Sequence, residues 1–178
     1  MPVFIALMLR NSRLEELGKV FKYLGYTPIP QYNQHLTLVF VGDVDSYHLH
    51  VIRKTLSQKL FNCPRILKLL DIILLPPTKA TNIAIEVENS KELNELRDNI
   101  LSLVNNIVKI KDRYSFLPHI TIARRLRPLP SELLDEVISI IRRIKKKIPR
   151  YIHVRGLALV NSVCGRYNIE QWMCESLI

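Results

Sequence analysis

The stretch Gln34–Phe40, "QHLTLVF", has the pattern of a β-strand with a histidine and a threonine on one face. Successive side chains of an extended chain point to opposite faces, so His35 and Thr37 share one face while Leu36 and Leu38 share the other. The pattern His-apolar-Thr-apolar returns 84 residues later in "PHITIA", where it is formed by His119, Ile120, Thr121 and Ile122. Composition alone would produce two such matches about once in a thousand sequences, so the pair indicates a duplicated unit.

The segments around the two motifs repeat in the same order. The first half is predicted to contain a strand at 3–9, a helix at 12–24, the His35 strand, a helix from about 45 to 60 and a strand at 65–75. The second half is predicted to contain a strand at 82–87, a helix from about 89 to 104, the His119 strand, a helix at 131–146 and strands at 152–161 and 167–176. We therefore expect an α+β fold of two pseudo-twofold-related lobes, each an antiparallel sheet with helices on its outer face. A cleft between the lobes would bring the two histidines together.

The amino-acid composition limits the classes of protein to which the chain can belong. The chain has 178 residues, of which 48% are apolar, which suits one domain spanning 1–178 with a sizeable core. Its apolar runs fall short of the roughly 20 residues that a membrane span needs, and its amino terminus lacks the features of a signal peptide. Three cysteines, an odd number without metal-type spacing, argue against a disulfide framework and for a reducing, cytoplasmic location. A net charge of +10 favours an anionic partner, nucleic acid first.

The tandem motifs resemble those of the 2H phosphoesterase superfamily, and within it the LigT-like RNA 2′,3′-cyclic phosphodiesterases, also called 2′-5′ RNA ligases. The resemblance extends over essentially the whole chain, through "VFIALML", "HLTLVFVGDV", "FLPHITIARRLR" and a closing pair of strands. It implies a LigT-like fold with halves at about 1–81 and 82–178, and strands exchanged between them. It also implies a monomer that needs no cofactor or metal and acts on RNA with 2′,3′-cyclic phosphate ends, tRNA halves being one candidate.

Two imidazoles beside a phosphate can carry out acid-base chemistry without a metal, because one accepts a proton while the other donates one. The resemblance implies that His35 is the proton donor and His119 the proton acceptor, opening the ring at the 3′ oxygen to leave a 2′-phosphate. The residues themselves do not decide which histidine does which. Thr37 and Thr121 lie on the histidine faces and are expected to donate hydrogen bonds to the phosphate oxygens.

Substrate-binding candidates flank the second motif. Arg124 resembles the arginine that follows this motif in the family, and a guanidinium can bind phosphate through two hydrogen bonds. Strict alternation puts Arg124 on the face opposite Thr121, so it reaches the cleft only through a bulge or a strand end after Ala123. Arg125 keeps the parity of His119 and stays as the alternative. Three aromatic residues in loops are candidates for stacking on unpaired bases: Tyr32, Tyr114 and Phe116.

Other features favour structural roles. His48 and His50 begin a helix without a completing ligand cluster, and His153 opens a strand without a threonine partner. The basic residues at 142–147 fall at a helix end, where cations suit the helix dipole. Three alternatives to hydrolysis of RNA ends remain open: reversible 2′-5′ joining of RNA halves, a non-catalytic RNA-binding module of the same fold, and hydrolysis of a small cyclic nucleotide or another non-RNA phosphoester.

Overall fold

The computed structural model describes residues 2–110, 115–163 and 166–175. The strands are β1 (Pro2–Leu9), β2 (Thr27–Pro28), β3 (His35–Asp43), β4 (Ile66–Leu75), β5 (Asn82–Val87), β6 (His119–Arg124), β7 (Tyr151–Val163) and β8 (Arg166–Glu175). The α-helices are α1 (Ser12–Lys19), α2 (Ser46–Ser57), α3 (Lys91–Asn105) and α4 (Leu134–Ile144). In the described part of the chain no helix has the length and apolar character needed to cross a membrane. The predicted α+β class is confirmed.

Six strands form a closed circuit of antiparallel pairings in the order β1-β3-β6-β5-β4-β7, and β7 pairs back with β1. Exchanging β1 with β5, β3 with β6 and β4 with β7 reproduces the same circuit. The first strand of each half therefore pairs with a strand of the other half, since β5 pairs with β4 and β1 pairs with β7. This exchange is the basis on which we infer two related halves, 1–81 and 82–178, within a single domain.

The sheet has different chemistry on its two faces. Alternate residues of β1, which are Val3, Ile5, Leu7 and Leu9, join the main core beneath the helices. The intervening residues, Phe4, Ala6 and Met8, form a second apolar cluster on the other face with Ala158 and Val160 of β7. The period-2 pattern of a strand thus separates a helix-covered face from a face that carries His35 and Thr37.

Three helix boundaries differ from the predictions. Helix α1 ends at Lys19, and the predicted continuation to Leu24 is a 3₁₀ turn closed by Gly25 at φ 80°. The cap of α3 is Ser90, whose hydroxyl accepts from the amide of Leu93, so the helix begins at Lys91 rather than at about 89. The predicted helix start at 131 is a 3₁₀ turn over Ser131–Leu133, and α4 begins at Leu134. At the end of α1 and at the start of α4, a local turn competes successfully with the regular helix.

Cys63 and Cys174 form a disulfide in this structure. This differs from the expectation of unpaired thiols, because cysteine spacing along the chain does not show which residues folding brings together. The bond joins the loop after α2 to β8, across a sequence separation of 111 residues. Cys164 lies outside the described residues, and the cytoplasmic location stays a prediction.

Candidate active site

The two motifs lie on neighbouring strands. Leu36 of β3 pairs with Ile120 of β6 in antiparallel register, and both side chains are fully buried in the main core. By that register His35 lies across from Thr121, and Thr37 lies across from His119. All four side chains are partly exposed and occupy the face opposite the helices. The strand pairing thus assembles a quartet of two imidazoles and two hydroxyls from motifs that are far apart in sequence.

The residue before each histidine is held in the same way. The carbonyl of Gln34 accepts from the amide of Leu9 at 3.0 Å, and the carbonyl of Pro118 accepts from the amide of Val87 at 2.9 Å. Gln34 is also fully buried, and its side-chain amide exchanges two 3.0 Å hydrogen bonds with the backbone of Asn11. These contacts anchor each motif strand at the position where its histidine begins.

Both imidazoles make equivalent hydrogen bonds. Nδ1 of His35 lies 2.7 Å from the carbonyl oxygen of Asn33, and Nδ1 of His119 lies 2.8 Å from that of Leu117. A carbonyl oxygen can only accept, so in each neutral ring the proton is assigned to Nδ1. Nε2 is then the nitrogen of each ring that can take up a proton. Neither Thr37 nor Thr121 has a hydrogen-bond partner for its hydroxyl within the described residues, which leaves both hydroxyls available to a ligand.

His35 lies in an aromatic environment. Its ring centroid is 5.0 Å from that of Phe4 and 5.1 Å from that of Tyr167, which approaches edge-on. Burial lowers the pKa of His35 to about 4, against the opposing effect of the hydrogen bond to Asn33. Coulombic interactions with Arg124 and His119 contribute to this lowering of the pKa. His35 is therefore neutral at pH 7 in the unliganded protein.

The two histidines have different cross-strand neighbours. Met8 pairs with His35 on one side of the cleft, while Glu86 pairs with His119 on the other. Directly paired residues share a face of the sheet with their Cβ atoms about 5 Å apart. The His35 imidazole thus has largely apolar surroundings, whereas the His119 imidazole has a carboxylate beside it. The backbone arrangement is the same at both positions.

A bulge in β6 determines the direction of Arg124. Thr121 pairs with Ala84 and Ala123 pairs with Ile83, so Ile122 is an extra residue in its strand. Ala123 consequently joins the core, and Arg124 returns to the histidine face across from Asn82. The Nε of Arg124 donates a 3.0 Å hydrogen bond to Oδ1 of Asn82. This is the bulge that the sequence analysis required for Arg124 to reach the cleft.

Arg125 does not keep the parity on which its alternative assignment depended, because the bulge shifts the alternation by one residue. Its guanidinium lies over the ring of Tyr26 at 5.6 Å, near Gly25. The Tyr26 ring is buried, and its hydroxyl donates to the carbonyl of Ala80 at 2.6 Å. Arg125 is thus part of the packing on the helix-covered side.

The three loop aromatics have different environments. Tyr32 is 71% exposed in the 3₁₀ turn directly before β3. Phe116 packs against the main core and lies under the guanidinium of Arg97, at 4.8 Å from its ring centroid. Phe116 therefore has a role in packing, and its contact with an unpaired base stays a prediction. Tyr114 lies outside the described residues.

Two of the charged residues that were expected to have structural roles form ion pairs away from the quartet. His48 is paired with Asp45, the cap of α2, at 2.9 Å, and Lys145 pairs with Asp71 on β4. The Lys145 ammonium group holds the pKa of Asp71 below its usual value. Among the residues that the structure describes, no group of three or more His, Cys, Asp or Glu could hold a metal ion.

Four further residues line or support this site and were not predicted from the motifs: Phe4, Asn82, Glu86 and Tyr167. Each lies on a neighbouring strand, and its position depends on strand register. Register is not readable from one strand alone, because a shift of one residue moves every side chain to the other face. For the two residues on β5 the sequence does contain a signal, which is strand parity: Asn82, Ala84 and Glu86 alternate with apolar residues.

Comparison with known proteins gives consistent matches. The model of the 2′-5′ RNA ligase superfamily matches residues 13–163. An RNA 2′,3′-cyclic phosphodiesterase of Archaeoglobus fulgidus is 26% identical over 168 residues, covering 92% of each chain. The crystal structure of TT0787 of Thermus thermophilus superposes with a TM-score of 0.72 at 23% identity, covering 97% of this chain and 96% of that one. That of E. coli LigT complexed with 3′-AMP gives 0.65 at 18% identity, covering 97% of each.

Proposed function

Because this chain belongs to the 2′-5′ RNA ligase superfamily, we propose that it is a phosphoesterase, and specifically an RNA 2′,3′-cyclic phosphodiesterase. The observation that carries the proposal is the register of β3 and β6, which groups His35, Thr37, His119 and Thr121 on one face. The name of the Archaeoglobus relative supports the same substrate class. The net charge of +10 suits an anionic RNA substrate.

In the proposed reaction one imidazole takes a proton from water through Nε2 as the water oxygen attacks phosphorus. The bond from phosphorus to the 3′ oxygen breaks, and the other imidazole gives its proton to that oxygen, leaving a 2′-phosphate and a 3′-hydroxyl. Hydroxyl donation from Thr37 and Thr121 offsets the charge that develops on the non-bridging oxygens. Arg124, oriented by Asn82, pairs with the phosphate. These steps need no metal.

The family resemblance makes His35 the proton donor. Since its pKa is about 4 in the unliganded protein, that role requires a bound phosphate anion to raise the pKa and restore the proton. The reverse assignment, with His35 as acceptor, needs no such change. Either assignment requires one imidazole to be protonated and the other neutral, so we expect a bell-shaped pH dependence of kcat/KM for both.

The proposal is tested by incubating the purified protein, with a chelator, with an RNA oligomer ending in 2′,3′-cyclic phosphate, and identifying the product isomer. We expect a 2′-phosphate product and a loss of about 10²- to 10⁴-fold in kcat on His35→Ala or His119→Ala. Arg124→Ala should raise KM, and Arg125→Ala should leave KM unchanged as the matched control. Full activity in either histidine variant, or a strict requirement for a metal ion, would contradict the proposal. Joined RNA halves as the main product would favour 2′-5′ ligation.

A further inference from the structure

A groove on the helix-covered side of the sheet lies between α2 and the edge strand β8. It has a volume of about 460 Å³ and is lined by His50, Arg53, Lys54, Ser57 and Gln171. The four residues of α2 recur at helical spacing and therefore share one face of the helix. In β8, Gln171 pairs with Leu159 and Ile169 pairs with Val160, so Glu170 is an extra residue. Because Leu159 lies in the main core, its partner Gln171 faces α2.

The groove presents positive charge and unused hydrogen-bond donors. The side chains of His50, Lys54 and Gln171 have no hydrogen bond or ion pair within the described residues. The guanidinium of Arg53 lies 3.9 Å from the carboxylate of Glu170, and the Arg53 side chain is 49% exposed, so it can also reach a ligand. None of the described residues that line the groove is acidic. The groove therefore suits an anion with several oxygen acceptors, such as a phosphodiester.

Strand β8 lies between this groove and the cleft. It is the last strand in the sheet order, and among the described strands it pairs with β7 alone. On one face of β8, the Tyr167 ring contacts His35. On the other face Gln171 lines the groove, four residues further along the chain, which is about 13 Å at the rise of a strand. β8 has no counterpart in the exchange that relates the two halves, so this groove borders one side of the cleft.

We propose that the α2–β8 groove binds phosphates of the RNA chain that lie a few nucleotides away from the cyclic end. This inference rests on the proposed function. A single strand that leaves the cleft beside Tyr167 passes over the free edge of β8 and places its backbone against Arg53 and Lys54. Contacts to phosphate oxygens are independent of base sequence. The groove therefore raises the affinity for longer RNA and contributes nothing to the binding of a dinucleotide.

The test compares a dinucleotide with an RNA of about ten nucleotides, each ending in 2′,3′-cyclic phosphate. In the double variant Arg53→Gln/Lys54→Gln we expect the KM of the longer RNA to rise about 2- to 30-fold, as for the loss of two exposed ion pairs. The KM of the dinucleotide and kcat for both substrates should be unchanged, which also shows that the variant is folded. The slope of log KM against log salt concentration for the longer RNA should decrease by about 1.4, because each phosphate contact contributes about 0.7.

Arg142→Gln/Lys146→Gln is the matched control, because it removes two exposed cations from the end of α4 and the turn after it. An equal rise in KM for both RNAs, no rise for either, or as large a rise in the control would overturn the role of the groove. If the wild-type protein turns over neither RNA, the proposed function fails, and the groove is tested by the fluorescence anisotropy of a labelled ten-nucleotide RNA ending in 2′-phosphate. The groove variant should then bind this RNA more weakly than the control does, and equal affinity would exclude the groove as an RNA site.

Discussion

At the scale of single residues, the two imidazoles differ through their surroundings, although their backbone and hydrogen bonds are alike. His35 is enclosed by Phe4, Tyr167 and Met8, and its pKa is lowered because burial disfavours the charged ring. A histidine whose pKa is lower in the folded state than in the unfolded state couples folding to pH. Protonation then favours the unfolded chain, which binds the proton more readily.

We therefore expect His35 to make the protein less stable in mild acid. With a pKa near 6.5 unfolded and about 4 folded, its contribution is fully present above pH 6.5 and is lost as the pH falls to about 4. The loss amounts to about 3 kcal/mol. Urea unfolding at about pH 7 and again at about pH 4.5 should show a smaller decrease for His35→Gln than for the wild type. His153→Gln is the control, and an identical decrease in His35→Gln and the wild type would contradict the assignment.

Residue types in the sequence predicted the chemistry of the site better than they predicted which residues belong to it. The pairing of His and Thr at positions i and i+2 is a local property of a strand, so the faces of His35 and His119 could be read directly from the sequence. The position of Arg124 depends on the extra residue Ile122, and that of Phe116 on a contact with Arg97. Neither the bulge nor the Phe116–Arg97 contact produces a periodic pattern of apolar residues in the sequence.

At the scale of elements, α1 lies directly against the bulge of β6. A Cβ atom built on Gly18 would be 2.2 Å from the carbonyl oxygen of Ile122, which is the bulge residue. The same oxygen accepts a 2.8 Å hydrogen bond from the amide of Ile29. Glycine at this position is thus required by close packing of helix against strand, and it secures the strand segment that leads to Arg124.

Gly18→Ala should therefore destabilise the protein. A glycine-to-alanine change inside an ordinary helix is favourable by about 1 kcal/mol, whereas here we expect a loss of about 1–3 kcal/mol from overpacking against backbone. Phosphodiester hydrolysis should decline as well, since the bulge orients Arg124. Arg13→Ala, at an exposed position of α1, provides the control in thermal unfolding and activity assays. A Gly18→Ala protein as stable as Arg13→Ala would show that the helix and bulge can separate at no cost.

Element order was predictable because each strand and helix has its own period of apolar residues. The ends of the elements were less predictable. Helix α1 stops at Lys19 because the residues from Phe21 to Gly25 adopt tighter turns, and Phe21 is fully buried there. The pairing of β7 with β1 joins residues far apart in sequence, which periodicity does not report. It was expected only through the family resemblance.

At the scale of the whole molecule, the Cys63–Cys174 bond ties β8 to the loop that follows α2. β8 carries Tyr167, whose ring contacts His35, so the bond links the loop after α2 to a strand that borders the candidate site. Closing a loop of this length reduces the freedom of the unfolded chain. In the entropic description, a loop of this order is worth about 4–5 kcal/mol.

Reduction should lower the free energy of unfolding by up to that amount, and Cys63→Ser should behave like the reduced wild type in urea titrations with and without dithiothreitol. Cys164→Ser is the matched control and should keep its response to the reductant. Mass spectrometry of unreduced tryptic fragments should identify the linked peptides. Equal stability of the oxidised and reduced wild type would indicate that the bond does not constrain the unfolded chain.

The exchange of strands between the halves also bears on regiochemistry. Rotating the molecule by half a turn replaces each motif with the other, so the quartet by itself treats the 2′ and 3′ oxygens of a ribose as interchangeable. A substrate bound in the reversed direction would release the opposite phosphate isomer. Only residues that differ between the halves can choose a direction, and Met8 against Glu86 is such a pair. We therefore expect the identity of the product to be decided at the margins of the cleft, where the two inferred halves differ in sequence.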